Sequence, residues 1–228
     1  MTRQRGIFVL GTGTEVGKTV VCAYLTRLLI DQGKQLVPIK PVCSGGRSDA
    51  EILHRACREQ ATIDEINPWW FEEAVTPMVA ARNIDKPLKK DVLLAAMKNR
   101  ISGKAALVEG AGGMMSPIAD AYTNIDLAED LQLPCLLVGV NRLGVINEVL
   151  LALSELKHRE VHCAGVLLNQ PEEADSSSET NPLIIQEMGS GIPVEVIPWL
   201  GQNPCEELMF GVNEKKIKKG VELVCEFF

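Results

Sequence analysis

The stretch GTGTEVGKT, residues 11–19, follows the apolar run GIFVL at 6–10 and opens a segment, VVCAYLTRLLIDQ, whose apolar spacing is helical. A strand, a glycine-rich turn and a helix in that order form a phosphate cradle. Glycines let successive backbone N–H groups converge on phosphate oxygens, and the helix N-terminus adds the positive end of its dipole. Lys18 supplies a point charge, and the Thr19 hydroxyl can ligate a divalent cation. A purely structural glycine turn needs no Lys-Thr pair at the helix start, so Gly17, Lys18 and Thr19 point to phosphate binding. The spacing is irregular. Thr12 stands where the usual pattern has its first glycine, and the nearest glycines are Gly11 and Gly13.

Outward from this turn the chain alternates apolar runs with amphipathic stretches, the pattern of a parallel sheet with crossover helices. Strands are expected at 6–10, 35–40, 105–109, 135–140, 162–169 and 194–197. Several are continuous apolar runs, suited to strands covered on both faces. Helices are expected at 17–32, 49–60, 88–100, 125–132, 145–158, 182–189 and 214–226. The fold class is therefore α/β, a doubly wound parallel sheet with helices on both faces, in one domain spanning 1–228. The polar run QPEEADSSSET at 170–180 reads as an exposed loop with room to move, just after a strand end where ligands bind in such sheets.

Hydrophobic residues make up 46% and charged residues 23%, which excludes a disordered or fibrous chain. The net charge of −7 and pI near 5.1 disfavour a nucleic-acid partner, which needs a basic face, and favour small-molecule ligands. The run at 6–10 is too short for a signal-peptide core or a membrane span, so a cytoplasmic location is expected. Seven cysteines without CxxC or Cys/His metal spacing imply reduced thiols, no disulfide and no zinc. Cys43 alone lies near the candidate chemistry. It has no adjacent base and reads as a small tolerated side chain. The C-terminal EKKIKKGVELVCEFF starts basic, but Gly220, Glu222 and Glu226 interrupt a membrane-binding face, and a helix packed on the domain is expected.

Phosphoryl chemistry also needs a divalent metal, and Mg²⁺ prefers a few carboxylates, a hydroxyl and waters. AALVEGAGG puts Glu109 at the C-terminal edge of an apolar run, followed by glycines that permit close backbone approach to a ligand. Glu109 thus reads as a metal-side acid, against the alternative of a solvated carboxylate capping a strand end. For Asp49 in GGRSDAEIL two readings stand level, a helix N-cap and a metal ligand. Lys40 ends the second strand in VPIKPV, ahead of Pro41 and the turn Ser44-Gly45-Gly46. A cation at that edge can meet a γ-phosphate or an anionic substrate, with Ser44 beside it as a donor; the alternative is a surface lysine.

Together GTGTEVGKT, PIKPVCSGG, SDAEIL, FEEAVTPMVAAR, VEGAGGMMSPI, NRLGVINEVLLAL and IPWLGQNP resemble the dethiobiotin synthetases in order and spacing across nearly the whole chain. The irregular loop is itself typical of that family. The resemblance implies a P-loop NTPase fold and a ligase that joins 7,8-diaminononanoate, CO₂ and ATP into dethiobiotin, ADP and phosphate. It implies Mg²⁺ held by Thr19, Asp49 and Glu109, which separates the two readings of Asp49, and catalytic roles for Lys18 and Lys40. ATP contacts would come from Glu15, Val16, Gly17, Lys18, Thr19, Val20, Asp49, Glu109, Gly110, Ala111 and Gly112. Asn169, Gln170, Pro198, Trp199 and Leu200 would serve the adenine side. Substrate contacts would come from Thr14, Ser44 and Asn147, in a homodimer where residues 143–147 of one subunit help hold the other's substrate.

Departures from the family pattern are few. Gly13 replaces the acidic or amide residue often found inside the loop, and Met78 stands where histidine is frequent. No tyrosine follows Ser178 to meet a substrate carboxylate, which leaves that end of the substrate to Asn181 or its neighbours. Two other classes fit less well. A nucleotide-switch ATPase of the partitioning type carries an early signature lysine, absent from 11–14. An amide-forming ligase needs a glutaminase domain with a Cys-His pair, for which no room is expected.

Overall fold

The computed structural model describes residues 4–209, 211 and 213–228, so residues 1–3, 210 and 212 of the expected domain lie outside the described residues. The strands among them are β1 (Gly6–Gly11), β2 (Leu36–Ile39), β3 (Val42–Ser44), β4 (Trp69–Phe71), β5 (Ala105–Glu109), β6 (Pro117–Ala119), β7 (Tyr122–Thr123), β8 (Cys135–Val140), β9 (Cys163–Asn169) and β10 (Val194–Ile197). The α-helices are α1 (Lys18–Asp31), α2 (Ser48–Ala56), α3 (Ile63–Ile66), α4 (Pro77–Asn83), α5 (Lys90–Ile101), α6 (Asn124–Asp130), α7 (Val145–His158), α8 (Asn181–Met188), α9 (Pro204–Met209) and α10 (Lys218–Val224).

The six runs read as strands form one parallel sheet in the order β10-β9-β8-β1-β5-β2. Side chains alternate across β1. Phe8 and Leu10 enter the layer beneath α4 to α8, while Ile7 and Val9 enter the layer beneath α1, α2, α9 and α10. All four are buried, and full burial of each such side chain stabilises by roughly 1.5–3 kcal/mol. Helices on both faces are why these strands are apolar without a break. Because the six strands run the same way, the segments after β1, β2, β5, β8, β9 and β10 meet along one edge, where ligands bind in open α/β sheets.

Several short elements carry no period long enough to read. β3 pairs in parallel with β4, with Cys43 opposite Trp70 and Ser44 opposite Phe71, and β6 pairs antiparallel with β7. The helix expected at 214–226 is three pieces: a 3₁₀ turn at Glu214–Ile217, α10, and a second 3₁₀ turn at Cys225–Phe227. Ile217, Val221 and Val224 are buried, and Gly220 sits so close to β9 that an added Cβ would lie 3.2 Å from Leu167. No helix among the described residues is long and apolar enough to cross a membrane.

Candidate active site

The loop at 11–19 takes its shape from two glycines. Gly17 occupies the N-cap position of α1 with φ 87°, a left-handed conformation costly for any residue with a Cβ. A Cβ there would also lie 2.4 Å from Asn169 Nδ2, which donates to Val16 O at 2.7 Å and so ties the loop to the end of β9. Gly11 leaves room for Lys18, whose Nζ would stand 2.7 Å from an added Cβ. Lys18 is buried and donates to Gly13 O at 3.0 Å. Burial, then repulsion from Lys40, lowers its pKa, with Glu109 partly restoring it. An arriving phosphate would add counter-charge beside that ammonium.

Beside the loop, two strand ends and the first turns of two helices assemble a charged cluster. Lys40, just past β2, places Nζ 2.5 Å from Glu109 Oε1 and 2.8 Å from Asp49 Oδ2, and it also donates to Gly110 O at 3.3 Å. Thr19 Oγ1 donates to the same Glu109 oxygen at 2.7 Å. Glu109 is fully buried at the end of β5, and Lys40 is nearly so. Burial works against the charge on Lys40, but Glu109 and Asp49 outweigh it and hold its pKa above the usual lysine range. Asp49 is likewise opposed by burial and yet held below the usual carboxylate range by Lys40, through its charge and its hydrogen bond. Both partners therefore stay charged at neutral pH. Cys43, by contrast, is driven by burial to about 12 and stays a thiol.

Asp49 does not cap α2. Arg47 holds the N-cap position, without a side-chain cap, and Asp49 lies within the first turn facing Lys40. The N-cap reading of the sequence is thus replaced by a place in the cluster. Lys40 is no surface lysine, and Glu109 no solvated one-sided cap. The donor set fits Mg²⁺: two carboxylates and a hydroxyl, with Glu109 Oε2 buried and lacking a hydrogen-bond partner among the described residues.

Two grooves flank the loop. One, of about 200 Å³, is lined by Glu15, Val16, Gly17, Val20, Asn169, Gln170 and the segment 198–201, which gathers the residues assigned to adenine. The other brings Thr14 beside Asn147 of α7, with Met115, Ser116 and Leu151. Ser44 ends β3, half-buried, four residues beyond Lys40.

A family model described as AAA domain matches residues 5–209. The ATP-dependent dethiobiotin synthetase BioD of Akkermansia muciniphila is 37% identical over 185 residues, covering 80% of this chain and 87% of that protein. The BioD of Phenylobacterium zucineum is 39% identical over 205 residues, covering 84% and 87%. The chain belongs to the dethiobiotin synthetase family. Among solved structures, the cell division ATPase MinD of Pyrococcus furiosus aligns with a TM-score of 0.60 at 15% identity over 97% of both chains, a likeness of fold alone.

Within this dethiobiotin synthetase fold, buried asparagines hold the site loops, a framework role that was not read from the sequence for any of them. Asn124 accepts from Ala111 N and donates to Ala111 O and Gly113 O, fixing the turn after Glu109. The glycines of that turn make room for the protein's own side chains. A Cβ on Gly110 would lie 3.0 Å from Asn124 Oδ1, and one on Gly112 would lie 2.7 Å from Ser116 Oγ. Asn141 donates to Gln170 Oε1 and Ser178 O, and Asn181 donates to Asn141 Oδ1, Arg142 O and Ser177 Oγ. The loop at 170–180 is therefore tied down at Ser178 and at Asp175, which accepts from Leu143 N at 2.7 Å. Asn181, considered for the substrate, spends its amide on that framework. Each of these asparagines has partners far away in sequence, so only its turn-forming character is legible locally.

Proposed function

We propose that this chain closes 7,8-diaminononanoate and CO₂ into dethiobiotin with conversion of ATP to ADP and phosphate, working in the cytoplasm as one α/β domain. The observation that carries the reading is the cluster of Lys40, Asp49, Glu109 and Thr19 beside the loop at 11–19. Its residues offer both the charge and the hydroxyl that a γ-phosphoryl transfer needs. The family relatives named ATP-dependent dethiobiotin synthetases support the substrate.

Thr19, Asp49 and Glu109 would hold Mg²⁺, which supplies neutralisation of phosphate charge when bound. The remaining work falls to the chain. A free alkyl ammonium with a pKa near ~10 is not nucleophilic, so the substrate amine must be held neutral to capture CO₂ as a carbamate. The carbamate oxygen then attacks the γ-phosphorus and ADP leaves. That step brings two anions together, and Lys18 with Lys40 offsets the repulsion. The second amine, held close by Thr14, Ser44 and Asn147, attacks the carbonyl of the carbamic-phosphoric anhydride and expels phosphate, closing the ring. Asn169, Gln170 and residues 198–200 would hold adenine, and Gly110 to Gly112 would back the phosphates. The exposed Leu143 and Leu151 beside Asn147 support a homodimer in which residues 143–147 approach the partner's substrate. The acidic balance supports small-molecule partners over nucleic acid or membrane.

ADP release should require both the diamine and bicarbonate, because the carbamate is the phosphoryl acceptor. A coupled ADP assay checks this, and equally fast ATP turnover without the diamine would sink the reading.

A further inference from the structure

We infer that Asn67 is a positioning residue that fixes Lys40 against Asp49 and Glu109. Asn67 is fully buried and follows α3, far in sequence from all three. Its Nδ2 donates to Lys40 O at 2.8 Å and to Trp69 O at 2.9 Å, and its Oδ1 accepts from Arg47 Nε at 3.2 Å. Arg47 Nη2 also donates to Asn67 O at 2.6 Å and to Ile63 O at 3.2 Å. On the other side of the same residue, Lys40 N donates to Ile66 O at 2.9 Å. Both peptide groups of Lys40 are therefore held by residues 66 and 67, at the point where the chain leaves β2 for the β3–β4 pair.

Arg47 is the second half of the device. It stands at the N-cap position of α2, where its carbonyl accepts from Glu51 N at 3.1 Å, and Asp49 lies in the turn that follows. One buried amide thus joins the segment that carries Lys40 to the segment that carries Asp49. A lysine ammonium rides on a flexible four-carbon stem, so its place is only as fixed as its backbone and its partners. The hydrogen bonds of Asn67 among the described residues reach neither the ammonium nor the phosphate loop, which makes its role one of placement. Removing its amide would leave the buried carbonyl of Lys40 and the partly buried one of Trp69 without that donor, and the strand end would shift to find another.

The kinetic part of the test rests on the proposed ligase activity, and the structural part does not. Crystal structures and steady-state kinetics of Asn67→Ala and Asn67→Asp are compared with wild type; the aspartate keeps an acceptor for Arg47 but loses both donors. The expected result is a Lys40 Nζ to Asp49 Oδ2 separation opened beyond hydrogen-bond distance, with kcat down roughly 10- to 100-fold and KM for ATP little changed. Leu93→Ala, at a buried position on α5, serves as the control for lost stability alone. The inference is overturned if the 2.8 Å contact persists in the variants, or if Leu93→Ala at the same loss of melting temperature loses as much kcat. Should Asn67→Ala not fold, Asn67→Asp carries the same distances. A wild type that makes no dethiobiotin defeats the proposed function, while the Lys40 to Asp49 separation still decides the role of Asn67.

Discussion

Lys40→Met is expected to lower turnover by about 100- to 1,000-fold, the range for removing one preorganised charge from a developing oxyanion. ATP affinity, measured by calorimetry, should change far less, since the loop at 11–19 and the 198–201 groove remain. The two roles of Lys40 can be pulled apart. Its ammonium is the partner of a fully buried Glu109 carboxylate at 2.5 Å, so its loss also strands a charge, at a cost of about 3–5 kcal/mol. Adding Glu109→Gln to Lys40→Met removes that stranded charge. The double variant should recover most of the melting temperature and none of the turnover. Equal losses of ATP affinity and turnover in Lys40→Met would reduce the residue to a binding role.

Gly17→Ala should abolish tight ATP binding and destabilise the chain by roughly 2–4 kcal/mol. The left-handed backbone at φ 87° accounts for part of the loss, and the approach of Asn169 Nδ2 to within 2.4 Å of the new Cβ accounts for the rest. These contributions separate in a double-mutant cycle. Asn169→Ala alone releases Val16 O from its 2.7 Å bond. Combined with Gly17→Ala it removes the collision but not the strain, so the pair should destabilise by less than the sum of the singles. Strict additivity, read by denaturant melts, would mean that Asn169 and Gly17 do not meet.

What the sequence carried and what it hid follow from the range of the signals. The six sheet strands were legible because continuous apolar runs are the mark of strands covered on both faces, and Lys40 and Glu109 were legible because each ends such a run. Asp49 was ambiguous, since an acid before a helical pattern looks the same whether it caps the helix or faces a lysine nine residues back. Only the position of Arg47 at the cap and the 2.8 Å contact with Lys40 separate the two. β3, β4, β6 and β7 span two or three residues each and have no period to detect. Asn67, Asn124 and Asn141 carry no local sequence signal of their roles. Their work lies in bonds to residues 20, 13 and 37 positions away, which local pattern does not encode. The ties that anchor the polar run at 170–180 are hidden for the same reason, because Asn141 and Leu143 hold it from another strand end.

The central claim is that Lys40, Asp49, Glu109 and the loop at 11–19 assemble a carbamate against ATP. The most direct measurement supplies the purified protein with ATP, Mg²⁺, the diamine and ¹³C-bicarbonate and identifies the product by mass spectrometry. Dethiobiotin with the label in its urea carbonyl, formed in step with ADP, is the predicted result. ADP formed without any labelled cyclic urea would contradict it.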